Sequence, residues 1–229
     1  MNDPPSHGPL ALIGGGEWLG DDAIDQRLVA LGGDQVLVLP TAAAYENPAA
    51  AVTVASKRYE QLGATVKGCM VLSRQDAENA IFADEIREAK FIYLSGGSPL
   101  HLRVTLKDSL VFDALRAAWH AGALIAGSSA GAMVLTDPMI DPRGGAFTVG
   151  LGLVSDVAVI PHYRGERNVQ LERTLSLAEG SCAVIGLGEA TGVILLPDGT
   201  WEVSGSGTVD VFLGGHRTGL EALAGKRLA

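Results

Sequence analysis

Between Leu124 and Met133 the chain reads Leu-Ile-Ala-Gly-Ser-Ser-Ala-Gly-Ala-Met, an apolar strand running through a Gly-x-Ser-x-Gly turn into a helix start. A chain that passes so abruptly from strand to helix is committed to an α/β arrangement, because that turn works by lifting its central residue clear of a sheet edge. Ser129 is the central residue, Ser128 frames it, and Gly127 and Gly131 leave room around it. The rival reading of the same residues is a small-residue turn that cradles a phosphate with the free amides of the helix N-terminus.

The rest of the chain fits that frame. Aliphatic runs at Leu10–Ile13, Gln35–Leu39, Thr65–Leu72, Phe91–Leu94 and Ala123–Ala126 alternate with helical periodicity, seen in Ile24, Leu28 and Leu31 and again in Val111, Leu115, Ala118 and Trp119. Such alternation predicts a parallel sheet covered by helices on both faces. After the elbow come a polar loop from about Thr136 to Gly150, a strand near Val157–Ile160 and a helix from about Arg167 to Ala178. Strands at Ala183–Gly186, Gly192–Leu196, Trp201–Val203 and Thr208–Phe212, with a Pro197-Asp198-Gly199 turn among them, predict an antiparallel edge. The expected fold is α/β, a three-layer sandwich with a mostly parallel, doubly wound sheet and an antiparallel C-terminal edge. Residues 1–9 read as a disordered tail and 10–229 as a single domain.

Composition narrows the function. With 47% hydrophobic but only 5% aromatic residues, the core must be built from Ala, Val, Leu and Ile, as buried parallel sheets usually are. A net charge of −9 without a basic cluster argues against nucleic acid as a partner. Cys69 and Cys182 lie far apart and lack metal-ligand spacing, so they read as free thiols of a reducing compartment. The polar, proline-bearing N-terminus is unlike a signal peptide, and no apolar run is long enough to span a membrane. Gly14-Gly15-Gly16 lacks Gly-x-Gly-x-x-Gly spacing, which argues against a dinucleotide loop. The expectation is a cytoplasmic protein needing neither metal nor organic cofactor and taking a small peptide or peptide-like substrate, with a homodimer left open.

A serine hydroxyl becomes a useful nucleophile only when a neighbouring base takes its proton. Of the five histidines, His162 ends the apolar run Val157–Ile160 and so is expected at the carboxyl edge of the sheet, beside Ser129; His216 is the runner-up. Asp137, Asp141, Asp156, Glu189, Asp198 and Asp210 all follow the elbow as candidate orienting acids. Glu189 is best placed, a lone carboxylate in an apolar run where burial demands a partner such as a histidinium; the rival reading is a solvent-facing glutamate on a bulge or edge, made credible by Gly186 and Gly188. Backbone amides of Ala130 and of the Ser95-Gly96-Gly97-Ser98 turn, through Gly97, are the expected oxyanion donors.

Together the segments Leu12–Gly16, Leu39–Ala42, Ser95–Gly97, Gly127–Ala132, Pro161–Tyr163, Gly186–Thr191 and Val203–Gly207 resemble the serine peptidase family of dipeptidase E and cyanophycinase, which has a class I glutamine amidotransferase-like fold. The resemblance implies Ser129 as nucleophile, His162 as base and Glu189 as acid. It also implies hydrolysis of a peptide or isopeptide bond in a small substrate, aspartyl peptides among the candidates. Glutamine amidotransferases carry a cysteine at the elbow, so Ser129 speaks against glutaminase chemistry. Where the family commonly has Asn or Asp and then Gln, this chain has Ser98 and Pro99, which speaks against cyanophycin as substrate. Ser98, Arg164 and Arg167 are the candidate substrate contacts, a guanidinium being suited to a substrate carboxylate. The alternatives are a non-catalytic binding or regulatory domain of the same fold, and an esterase or amidase outside peptide chemistry.

Overall fold

The structure, a computed structural model, describes residues 7–19, 22–178 and 180–229. Its first half alternates β1 (Leu10–Ile13), α1 (Asp22–Gly32), β2 (Gln35–Leu39), α2 (Pro48–Gln61), β3 (Thr65–Gly68), α3 (Arg74–Ala77), α4 (Ala80–Glu88), β4 (Phe91–Leu94), α5 (Pro99–Leu106), α6 (Leu110–His120), β5 (Leu124–Ser128) and α7 (Ala130–Leu135). The five strands pair in parallel in the order β1-β5-β4-β2-β3. Side-chain alternation along each strand then divides the core in two. Leu10, Leu12, Ile92, Leu94 and Ile125 point into one apolar layer, and Ala11, Ile13, Phe91, Tyr93, Leu124 and Ala126 into the other. The second layer is closed by Ile24 and Leu28 of α1 and Ala55 and Tyr59 of α2, the first by α5, α6 and α7. Helices thus cover both faces, as the alternating pattern requires.

The expected strand Thr65–Leu72 is half as long, because pairing with β2 ends at Gly68. The chain then turns, and the Leu72 N–H donates to the Asp76 carboxylate, which belongs to a capping box with Ser73. Residues 7–9 of the expected tail are folded: His7 is buried and stacks on Trp119, whose indole N–H donates to the Gly8 carbonyl at 2.8 Å. Residues 1–6 lie outside the described residues. Among the described residues no helix is long and apolar enough to cross a membrane.

The C-terminal half departs from expectation in one important way. Within the loop foreseen at 136–150 lie the short strands β6 (Thr136–Asp137), β7 (Met139–Ile140) and β8 (Phe147–Thr148), followed by β9 (Val154–Ser155), β10 (Val157–Ile160) and α8 (Val169–Leu177). Then come β11 (Ala183–Leu187), β12 (Thr191–Leu195), β13 (Trp201–Gly205), β14 (Val209–Leu213) and β15 (His216–Thr218). Only β12 and β13 extend the main sheet as its antiparallel edge, in the order β13-β12-β1. The strands β10, β11, β14 and β15 form a second, four-stranded sheet. Strand pairing at long sequence separation carries no local signature, and both sheets bury aliphatic faces in the same layer, so the sequence pattern merges them.

One ion pair inside the α1–α2 layer joins Arg58 to Asp25 at 2.7 Å, with side chains only 10% and 4% exposed. Removing Arg58 takes a cation away from a buried carboxylate in this layer. Arg58→Ala is expected to lower the unfolding free energy by about 3–5 kcal/mol, read as an earlier urea midpoint at constant m-value. An unshifted midpoint would show that this pair does not hold α1 to α2.

Candidate active site

Ser129 occupies the corner between β5 and α7 with φ 49° and ψ −106°, outside the conformations an L-residue favours. The corner is held by the Ser129 N–H donating to the Ile13 carbonyl at 2.9 Å, and α7 begins with the Met133 N–H bonded to the Ser129 carbonyl. The helix can back this tightly onto the sheet only because of its glycines. A Cβ at Gly127 would lie 2.6 Å from the Gly131 carbonyl carbon, and one at Gly131 would lie 2.4 Å from the Leu94 oxygen.

His162 follows β10, in the second sheet and not at the edge of the main one as the sequence suggested. The two strand ends nevertheless converge, because His162 donates its N–H to the Gly14 carbonyl at 2.8 Å, directly after β1. Its ring lies over Gly15, where a Cβ would come within 2.3 Å of the imidazole Cε1. The Ser129 hydroxyl is 2.8 Å from His162 Nε2, and Nδ1 is 3.1 Å from a Glu189 carboxylate oxygen. An ionised carboxylate only accepts, so Nδ1 must carry the hydrogen, and Nε2 is left to accept from Ser129.

Glu189 sits in the turn between β11 and β12, anchored by the Ala190 N–H donating to the Gly15 carbonyl at 2.8 Å. It is 64% exposed, so the expectation of a buried carboxylate is corrected: Glu189 points outward from the apolar strand that precedes it. The glycines around it serve packing, since a Cβ at Gly186 would strike the Tyr163 ring. Every other candidate acid is engaged elsewhere: Asp137 with the Gly150 N–H, Asp141 with Arg143, Asp156 with Arg227, Asp198 with Thr200, and Asp210 with Tyr163 and Arg217. His216 lies on β15, which pairs with β14 in the second sheet.

Magnitudes decide whether this constellation is a stabilising feature. A His–Glu contact with side chains 51% and 64% exposed is worth about 0–1 kcal/mol to the fold. Ser129, His162 and Ala190 all take positive φ, at 49°, 54° and 51°, and strain of that kind costs of order 1–3 kcal/mol per residue. The arrangement therefore costs the fold more than the ion pair returns, so stability does not account for it.

Ser129 and His162 lie in an open cleft of about 450 Å³ lined also by Glu17, Ala43, Glu46, Asn47, Gly96 and Gly97. Among the described residues the N–H groups of Gly97 and Ala130 make no hydrogen bond, while the Gly96 N–H is taken by Glu17 at 2.9 Å. Ser98 is drawn away from the cleft, its hydroxyl capping α5 through the His101 N–H and its own N–H bonded to Ala42. Arg167 is paired with Glu172, and neither it nor Arg164 lines the cleft. Glu17 is the cleft residue that sequence reasoning passed over. The signal was its place after three glycines, but its target lies at two other strand ends.

Among the described residues no group of three or more His, Cys, Asp or Glu side chains could hold a metal ion. Burial pushes the Cys69 thiol up to about 12, which keeps it from ionising near neutrality.

A serine, an imidazole and a carboxylate in hydrogen-bonded series at a strand-to-helix turn have the arrangement that serine hydrolases use. Residues 10–201 match the family model of peptidase family S51, and the chain belongs to that family, which holds dipeptidase E and cyanophycinase. It is 30% identical over 154 residues to cyanophycinase of Synechococcus elongatus, a match covering 62% of this chain and 47% of that one. Over 223 residues it is 27% identical to cyanophycinase of Geminocystis herdmanii, covering 88% and 79%. The chain spans about half the length of several of the curated relatives it matches. Among solved structures, a peptidase from an acI-B1 Actinobacterium superposes with a TM-score of 0.82 at 29% identity, covering 94% of each chain. A candidate peptidase E from Listeria monocytogenes EGD-e superposes with a TM-score of 0.65 at 19% identity, covering 87% of this chain and 99% of that one, and shows the fold alone.

The tight seat of the His162 ring on Gly15 gives a direct prediction. Gly15→Ala must push the ring away, since the new methyl would overlap it and the glycine holds φ 127°. The rate at which Ser129 reacts with a fluorophosphonate is expected to fall about a hundredfold, and the strained backbone to lower the melting temperature by several degrees. A wild-type rate would show that the ring does not depend on this seat.

Proposed function

We propose that the protein is a serine-type peptidase that hydrolyses a peptide or isopeptide bond in a small substrate through an acyl-enzyme. The observation that carries the reading is the unbroken series from the Ser129 hydroxyl to His162 Nε2 at 2.8 Å and from Nδ1 to Glu189 at 3.1 Å. In this reading Ser129 Oγ attacks the carbonyl carbon while its proton passes to His162, and the imidazolium is stabilised and oriented by Glu189. The oxyanion is taken by the free N–H groups of Ala130 and Gly97, each such donor being worth on the order of 10²–10³ in rate. His162 returns the proton to the leaving amine, and water then releases the acyl group by the same steps in reverse.

The mostly parallel sheet with its elbow after β5 supports placing the fold with the class I glutamine amidotransferase-like group, with serine where those enzymes use cysteine. The cleft is open. It presents the carboxylates of Glu17 and Glu46 and no Lys or Arg, which favours substrates that carry no acidic group beside the scissile bond. Aspartyl peptides stay in the substrate screen on the strength of the family. A bare binding domain has no need of strained backbone or of an imidazole on the serine, and this favours catalysis over the non-catalytic reading.

Ser129→Ala is expected to abolish fluorophosphonate labelling while leaving the melting temperature within about 2 °C of the parent. Labelling that persists at another serine refutes the assignment. Glu189→Gln keeps an acceptor and loses the charge, and is expected to lower kcat by at least about tenfold with KM little changed. A screen of neutral, aspartyl and β-aspartyl dipeptides beside short acyl esters sorts the substrate class. Turnover of esters alone would replace the peptidase reading with that of an esterase.

A further inference from the structure

We propose that Glu17 is a positioning residue for this hydrolysis, an inference that rests on the reading of Ser129 as nucleophile. One of its carboxylate oxygens accepts the Gly96 N–H at 2.9 Å and the other accepts the Ser128 hydroxyl at 2.8 Å. Gly96 immediately precedes Gly97, the oxyanion donor after β4, and Ser128 immediately precedes Ser129, the nucleophile after β5. The carboxylate is therefore a clasp between neighbouring strand ends, one carrying the attacking oxygen and the other the amide that must receive the developing charge. A Cβ placed at Gly96 would lie 2.7 Å from a Glu17 oxygen and 3.5 Å from the Ser129 Cβ, so the clasp and the serine rest against the same glycine.

The chemistry of a carboxylate suits this task. It accepts only, its two oxygens are fixed in one plane, and bonds from neutral donors to an ionised acceptor are roughly twice as strong as neutral pairs. By taking the Gly96 N–H it sets the orientation of the next peptide, and the Gly97 N–H, beside the cleft, is the one that makes no hydrogen bond. Its own negative charge opposes an oxyanion nearby, so Glu17 acts through orientation and not by stabilising charge. The segment Gly14–Glu17 thereby touches every part of the site: His162 through Gly14, the Glu189 turn through Gly15, and the two other turns through Glu17.

The test is fluorophosphonate labelling of Ser129 in the full chain, with the limiting rate constant separated from the half-saturating probe concentration. Glu17→Ala removes both bonds and is expected to lower the limiting rate about a hundredfold with half-saturation within about twofold of wild type. Glu17→Gln keeps an acceptor for Gly96 and can donate to Ser128, and is expected to recover most of that loss. Ser128→Ala removes one of the two Glu17 bonds and is expected to slow labelling about tenfold; it carries the test should Glu17→Ala fail to fold. Labelling at the wild-type limiting rate in Glu17→Ala or, failing that, in Ser128→Ala overturns the proposal. So does a Glu17→Gln variant as slow as Glu17→Ala. Wild-type protein that never labels at Ser129 overturns the hydrolase reading itself and this inference with it, an outcome distinct from wild-type labelling that is indifferent to Glu17.

Discussion

Two sheets meet at Gly14, Gly15 and Gly16, and the closeness of that contact decides whether the protein has a site at all. The main sheet delivers Ser129 at the end of β5, while His162 and Glu189 belong to turns leaving the second sheet. Nothing in either sheet brings these side chains together alone. The meeting is made by backbone: the carbonyls of Gly14 and Gly15 accept the N–H groups of His162 and Ala190, and the Gly14 N–H donates to the Thr191 carbonyl. A Cβ at Gly14 would lie 2.1 Å from the Gly188 oxygen, and one at Gly16 would lie 3.0 Å from the Glu189 Cβ. Three side chains would hold the sheets apart by more than the tolerance of a 2.8 Å hydrogen bond. The glycines are thus the geometric condition for the Ser129–His162 contact.

The strain at the site follows from the same constraint. To reach the β1 end, the chain leaving β10 must bend at His162 into positive φ, and the chain leaving β11 must do so at Ala190. The surrounding structure can hold these residues there because β10 and β11 are anchored in a dry aliphatic layer shared with Leu10, Leu12 and α7. Val157, Ala158, Val159 and Val184 are fully buried, and each of the three valines returns on the order of 1.5–3 kcal/mol. Burial of the strands is therefore what holds bent, exposed ends in place.

Much of this was readable in the chain. The elbow, the parallel strands and the ends of β10 are local patterns of apolar run, glycine and turn, and local pattern is what a sequence displays. Ser129, His162 and Glu189 could be singled out for the same reason, each ending or following an aliphatic strand. What could not be read is pairing at a distance: that β10 and β11 leave the main sheet, that His7 to Pro9 tuck against Trp119, and that Arg167 is absorbed by Glu172. Glu17 is the instructive case. A glutamate after three glycines is an unremarkable loop residue until β4 and β5 end beside it, and only the sheet order puts them there. For Glu189 the apolar run leaves both a buried and a solvent-facing carboxylate open, and the structure gives the second, with the side chain facing outward to where the imidazole of another turn arrives.

Exposure is the remaining constraint on chemistry here. Half of the His162 side chain faces water, a medium that screens its interaction with Glu189 and competes for the Ser129 proton. The same two hydrogen bonds strengthen when water is displaced, because the local dielectric falls around charges that are already oriented. A substrate that fills the space between Glu46, Asn47 and Gly97 covers the imidazole and supplies that displacement itself. A smaller one leaves the relay wet. On the proposed hydrolase reading, selectivity for substrate length and the strength of these two hydrogen bonds in a cleft this open are consequences of the same event, the exclusion of solvent from His162.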